Sequence, residues 1–156
     1  KSIENIVGMQ AQLWSETIKG SKMLEYFLAP KLFSFAEKAW SSAPTWESES
    51  AISKRVNSIW AGWADIANQI GQREFPRLDF LFNGYNYRIA PPGAVIEDGL
   101  LKANVAFPGF TIRYTEDGSE PNVNSKEYTN PIKVSGPIKV RSFNTFGRAS
   151  KTFIVK

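Results

Sequence analysis

The chain has 156 residues, enough for one domain or two small ones, and contains neither cysteine nor histidine. Disulfides and thiolate chemistry are therefore excluded, and without the commonest metal ligand and neutral-pH base, acid–base work falls to Asp, Glu, Lys or Tyr. Apolar residues at 42% and charged residues at 22% argue against disorder, and a net charge of +4 is too dilute for a nucleic-acid surface.

The start, KSIENIVGMQ, does not read as a signal peptide, and no stretch reaches the length of a membrane span. Residues 4–14, ENIVGMQAQLW, alternate apolar and polar positions from Met9 onward and predict a strand with one polar face. Residues 21–40 read as two helices. Ser21 is the expected cap of the first, and Pro30 is expected in the first turn of the second, where its missing N–H costs nothing. After the connector SSAPTWESES, residues 50–73 draw one apolar stripe through Ile52, Val56, Ile59, Trp60, Trp63, Ile66, Ala67 and Ile70, with Gly71 as its stop. Trp60 and Trp63 on that stripe are expected in a core.

From about residue 80 the period changes from 3.6 to 2. VAF, FTIRYTE, IKVS, IKVRSFN and KTFIV are short strand-like runs separated by Gly and Pro, which predicts a small antiparallel β-sandwich. Asp117-Gly118 is the expected tight turn. Glu116, Asp117 and Glu120 around it lack a full ligand set, so neither a metal nor a cofactor is expected. The first eighty residues make a poor autonomous domain, because two helices cannot satisfy the backbone of a lone strand. The chain therefore reads as an α+β fragment divided into residues 1–79 and 80–156.

Two motifs suggest of what. GMQAQLWSE, residues 8–16, resembles the eighth-strand region of the (β/α)8 barrel of glycoside hydrolase family 20, with Gly8, Gln10, Leu13, Trp14 and Glu16 matching. LAPKLFSFAEKAW resembles that barrel's last helix through Pro30, Ala36, Glu37 and Trp40, with Lys31 where Arg is usual. Independently, FTIRYTEDGSEPNVNSKEYTNPI, residues 110–132, is similar to the C-terminal β-domain of bacterial chitobiases and hexosaminidases.

The resemblance implies the terminal strand and helices of a (β/α)8 barrel followed by the β-domain. The parent would be an exo-acting β-N-acetylhexosaminidase, secreted, periplasmic or on the cell surface. Active sites of such barrels lie at the C-terminal ends of the strands. Trp14 and Glu16, two positions apart on extended chain, would share a face. By resemblance, Trp14 is the floor of the sugar subsite and Glu16 binds the outer hydroxyls O4 and O6. Family 20 hydrolyses with help from the substrate's own acetamido group, which an Asp orients while an adjacent Glu acts as acid and then base. This chain has no Asp-Glu step, so no catalytic residue is expected in it and the fragment alone should be inactive. Its partner would be a glycan or chitooligosaccharide with a terminal N-acetylhexosamine. The uncovered barrel face would favour self-association. A second reading is a non-catalytic carbohydrate-binding or scaffold module, served by the basic bias after residue 80 and by exposed runs containing Tyr85, Tyr87, Tyr114 and Tyr128.

Overall fold

A computed structural model describes residues 5–156. Backbone contacts divide them into two compact units. One runs up to Ile66 and takes in Gly84–Arg88; the other comprises Ala67–Asn83 and Ile89–Lys156.

The first unit is helical. Gly20, at a positive φ of 79°, turns the chain into α1 (Ser21–Leu28), so Gly20 and not Ser21 is the cap, and no side chain caps the helix. Pro30 likewise sits at the cap of α2 (Lys31–Trp40) rather than inside its first turn. A strap, Gly84–Arg88, closes the end of α1. The Arg88 N–H donates to the Ala29 carbonyl at 3.0 Å, and the Asn86 N–H donates to the Glu25 carboxylate at 2.7 Å. Asn86 Nδ2 donates to the Lys22 carbonyl at 2.8 Å. The Arg88 bond supplies a partner that a helix end lacks by itself, and Tyr87 is buried in the strap.

The strand expected over residues 4–14 is not formed: Glu4 lies outside the described residues, and residues 6–15 have no regular structure. A strand needs a neighbour for its N–H and C=O groups, and every paired strand among the described residues lies between Gly93 and Val155.

The long helix differs from expectation in an informative way. α3 (Ile52–Gln69) does not stop at Gly71 but continues through a π turn, Ile70–Glu74, into α4 (Phe75–Phe80). Pro76 explains the widened turn. It has no N–H for the Gln72 carbonyl, and its ring would crowd that carbonyl in a regular helix. Phe75 N–H instead reaches five residues back to the Ile70 carbonyl. Gly71 serves close approach. A Cβ there would lie 2.1 Å from the Pro108 carbonyl oxygen, and one on Gly109 (φ 98°) would lie 3.0 Å from the Gly71 carbonyl oxygen. One helical turn on, Phe75 is 1% exposed, edge-to-face with Phe107 and stacked on Phe110, both at 5.3 Å. Asp79, four residues further, turns the same face to Asn144 Nδ2 (3.1 Å) and Arg148 (3.6 Å).

The rest of the second unit is the expected antiparallel sandwich. One sheet has the order β1 (Gly93–Glu97), β2 (Leu100–Asn104), β5 (Ile132–Lys133). The other has the order β4 (Lys126–Tyr128), β3 (Thr111–Thr115), β6 (Ile138–Phe143), β7 (Phe153–Val155). Burial alternates along β3 and most of β6, as period-2 strands require. Leu101, Ile112, Tyr114, Ile138, Val140 and Val155 form the core, with Ala94, Ile96 and Ile132 packed against it. The Ala103 N–H, beyond the short pairing of β2 with β5, donates to the Tyr128 hydroxyl of the other sheet at 3.0 Å.

VAF, expected as a strand, is not one; its Phe107 goes to the aromatic stack under α4. The two-residue hairpin turn is Asp98-Gly99, between β1 and β2, with φ of 53° and 72°. Positive φ at both positions is what a type I′ turn demands. Asp117-Gly118 opens a longer loop instead. There the Asp117 carboxylate accepts from the Ser119 N–H (3.0 Å) and hydroxyl (2.6 Å), so its short side chain does serve the turn, as expected.

In a solvated helix, Gly71→Ala would gain about 1 kcal/mol of propensity. Here the added methyl must displace backbone, and overpacking costs about 1–3 kcal/mol. The substitution should therefore lower stability by about 1–2 kcal/mol, read as a lower urea midpoint at unchanged slope.

Candidate functional site

Trp14 lies in the irregular segment and is 73% exposed. Glu16 is also exposed, in a turn closed by the Ile18 N–H donating to the Ser15 carbonyl at 3.1 Å. Both side chains, an indole and a carboxylate two positions apart in sequence, are open to solvent. The same-face argument for extended chain does not apply, because Glu16 sits in that turn.

The apolar faces around them are also bare. Trp60 is 65% exposed, and Trp40, Trp63, Ile52, Val56 and Ile59 are exposed too. The expected burial of Trp60 and Trp63 in a core is thus not met within the chain. The stripe on α3 is covered only at its C-terminal end, where Ala67 and Ile70 are buried and Ile66 is half-buried.

The titratable groups of the sandwich form surface pairs rather than a cleft. Glu97 meets Lys102 at 2.5 Å, Lys126 meets Glu116 at 2.8 Å, and Lys139 meets Glu120 at 2.6 Å. The hydrogen bond from Lys102 holds Glu97 below its ordinary value, and the hydrogen bond to Glu116 raises Lys126. In the helical unit, burial and then the charge of Glu25 push the Tyr85 phenol up. Among the described residues no group of three or more acidic side chains could hold a metal, and no helix is long and apolar enough to cross a membrane. A shallow depression of about 300 Å³ over β1 and β2 is lined by Gly93, Ala94, Val95, Lys102, Ala103 and Asn104. It offers neither the carboxylate pair nor the aromatic floor that glycosidic chemistry needs.

None of the tyrosines that served the binding-module reading is fully exposed: Tyr87 and Tyr114 are buried, and Tyr85 and Tyr128 are half-buried. They pack and bridge rather than present a platform. Phe80, Phe82, Phe146 and Phe153 are further exposed aromatics, none of them expected as such from the sequence. The signal available for the first two was the end of the helical period at residue 80.

The family described as Glycosyl hydrolase family 20, catalytic domain, matches residues 1–43, and the Chitobiase/beta-hexosaminidase C-terminal domain matches residues 74–152. An N,N'-diacetylchitobiase of Vibrio harveyi is 34% identical over 83% of this chain and 16% of its own length. A beta-hexosaminidase of Vibrio vulnificus is 30% identical over 94% of this chain and 19% of its own. Another from Porphyromonas gingivalis is 26% identical over 93% and 18%. The chain thus spans less than a fifth of the length of these relatives.

Glu120 gives a pH test of the sandwich. Hydrogen bonds from Lys139 and then from the Thr152 hydroxyl hold its carboxyl below the ordinary 4.5. A lowered folded pKa stabilises above the unfolded value, and that stabilisation is lost as pH falls through the folded one. Melting temperature measured from pH 7 to pH 2 should therefore fall less steeply below about pH 4.5 in Glu120→Gln than in the unchanged chain. Parallel curves would mean that the pairing does not couple to folding.

Proposed function

This chain belongs to the chitobiase and β-hexosaminidase family of glycoside hydrolases, whose C-terminal domain it carries, and we propose that it is the C-terminal part of an exo-acting β-N-acetylhexosaminidase. The observation that carries the reading is the pair of family matches in chain order, catalytic domain first and C-terminal domain second. In that reading residues 1–79 are the end of the (β/α)8 barrel with its following helix, and residues 80–156 the small β-domain. Residues 6–15 would become the last barrel strand once their neighbours are present. Secretion, a periplasmic address or the cell surface would suit an enzyme acting on such substrates.

The longer protein would remove terminal β-linked N-acetylhexosamine from glycans or chitooligosaccharides. The substrate's acetamido oxygen, oriented by the Asp of an Asp-Glu pair on an earlier strand, would attack the anomeric carbon as the glycosidic C–O bond breaks and the Glu protonates the leaving oxygen; water, deprotonated by the same Glu, would then open the cyclic intermediate. That pair is not in this chain, which we take to be inactive alone. Trp14 would give the apolar face of the pyranose a flat partner, and Glu16 would accept from two of its hydroxyls. Their exposure supports the assignment, since a subsite residue must be open when no sugar or barrel covers it.

Hydrolysis of a chromogenic β-N-acetylglucosaminide by the full-length protein tests this. Trp14→Ala and Glu16→Ala should each lower kcat/KM about tenfold or more, about 1.4 kcal/mol of transition-state stabilisation. An active protein indifferent to both would remove the site assignment and leave the activity. The chain alone should self-associate through its bare apolar helix faces; sedimentation as a strict monomer at all concentrations would contradict that.

A further inference from the structure

One exposed feature lies outside the barrel segment. Phe80, Leu81 and Phe82 follow one another at the end of α4. Phe80 is 76% exposed and Phe82 is 86% exposed. Phe146, from the turn between β6 and β7, joins them, its ring edge-to-face with Phe80 at 5.8 Å. All four belong to the sandwich unit, which has its own core.

The backbone here is unusual. Phe82 (φ 55°), Asn83 (φ 62°) and Gly84 (φ 97°) are three successive residues in left-handed conformation. Only glycine adopts it freely; for an L side chain it costs about 1–2 kcal/mol, and a bulky residue there is an outlier. Phe82 is thus held in a strained conformation that presents its ring to water. Neither the strain nor the exposure is repaid within the described residues. The nearby Asp79 carboxylate is turned to Asn144 and Arg148.

We propose that Phe80, Leu81, Phe82 and Phe146 form the docking surface for the part of the catalytic domain that precedes this chain in the longer protein. The proposal rests on the reading above that such a domain exists. The chain accounts for 16–19% of its relatives' length, and its match to the catalytic domain covers residues 1–43 only. Asn83 runs directly into Gly84–Arg88, the strap that belongs to the same unit as that match. A covalently tethered partner has a high effective concentration, so a small apolar patch is enough to hold it. A protein surface fits better than a sugar, because phenylalanine and leucine carry no polar tip to meet the hydroxyls around a pyranose ring. Docking would fix the β-domain against the catalytic domain and recover the free energy that Phe82 forgoes in the separate chain.

The decisive variant is Phe82→Gly, compared in the 156-residue chain and in the full-length protein. Glycine takes the left-handed backbone without strain. The chain alone should therefore melt at the same temperature or higher. The full-length protein should melt lower, or in two steps, with protease cleavage between residues 80 and 92 about tenfold faster because the open population rises. Phe82→Asn, which also tolerates this backbone, should reproduce the reversal without glycine's extra chain freedom. A lowered melting temperature in both proteins would mean local packing, and no change in either would mean an idle patch; each overturns the proposal. Unchanged melting with lost chitooligosaccharide binding would make the patch a glycan platform and overturn it too. A reversal in a full-length protein that hydrolyses no β-N-acetylhexosaminide would retain the docking and sink the activity.

Discussion

Every backbone N–H and C=O removed from water must find a partner, and the arrangement of this chain follows from where those partners are. Seven strands between Gly93 and Val155 supply them to one another in two antiparallel sheets. Where β2 outruns β5, the Tyr128 hydroxyl stands in for a strand and takes the Ala103 N–H. At the end of α1 the strap does the same for the Ala29 carbonyl. Residues 6–15 have no such neighbours and stay irregular and exposed.

Apolar burial follows the same division. The sandwich encloses Leu101, Ile112, Tyr114, Ile138, Val140 and Val155 and needs nothing further for that core. The helical unit leaves two tryptophans and three aliphatic side chains of α3 in water. Burying one large apolar side chain contributes about 1.5–3 kcal/mol, which exceeds a tenth of the stability of a typical small domain. Two units of one chain are thus in different thermodynamic positions: one encloses a core of its own, and the other leaves the stripe of its longest helix largely in water.

How much was legible depended on whether a signal was local. Helical stripes, the strands β3, β5, β6 and β7, the sandwich and the role of Asp117 could be read from period and turn chemistry. β4 was missed because Lys126–Tyr128 is a short, charged edge strand with little apolar pattern. The β1–β2 hairpin was missed although Asp98-Gly99 is a two-residue turn signal flanked by AVI and LL. Gly71 looks like a helix stop in sequence; only the Pro108 carbonyl, 37 positions on, makes it a contact residue. Trp14 and Glu16 were singled out by motif, and neither period nor spacing would have distinguished Trp14 from the exposed Trp40 or Trp60. The left-handed Phe82 left no trace in the sequence, because nothing in a phenylalanine's neighbours announces a positive φ.

The interleaving of the two units along the chain has a consequence for inheritance. Gly84–Arg88 is stitched into the helical unit, while the segments on either side of it belong to the sandwich unit. No single breakpoint in a gene can part them: a crossover before residue 84 strands the strap with the wrong half, and one after residue 88 carries α4 away from the sheets it anchors. Recombination that shuffles accessory modules between enzymes would find no clean joint here, so the β-domain and the helices before it are expected to travel through evolution together.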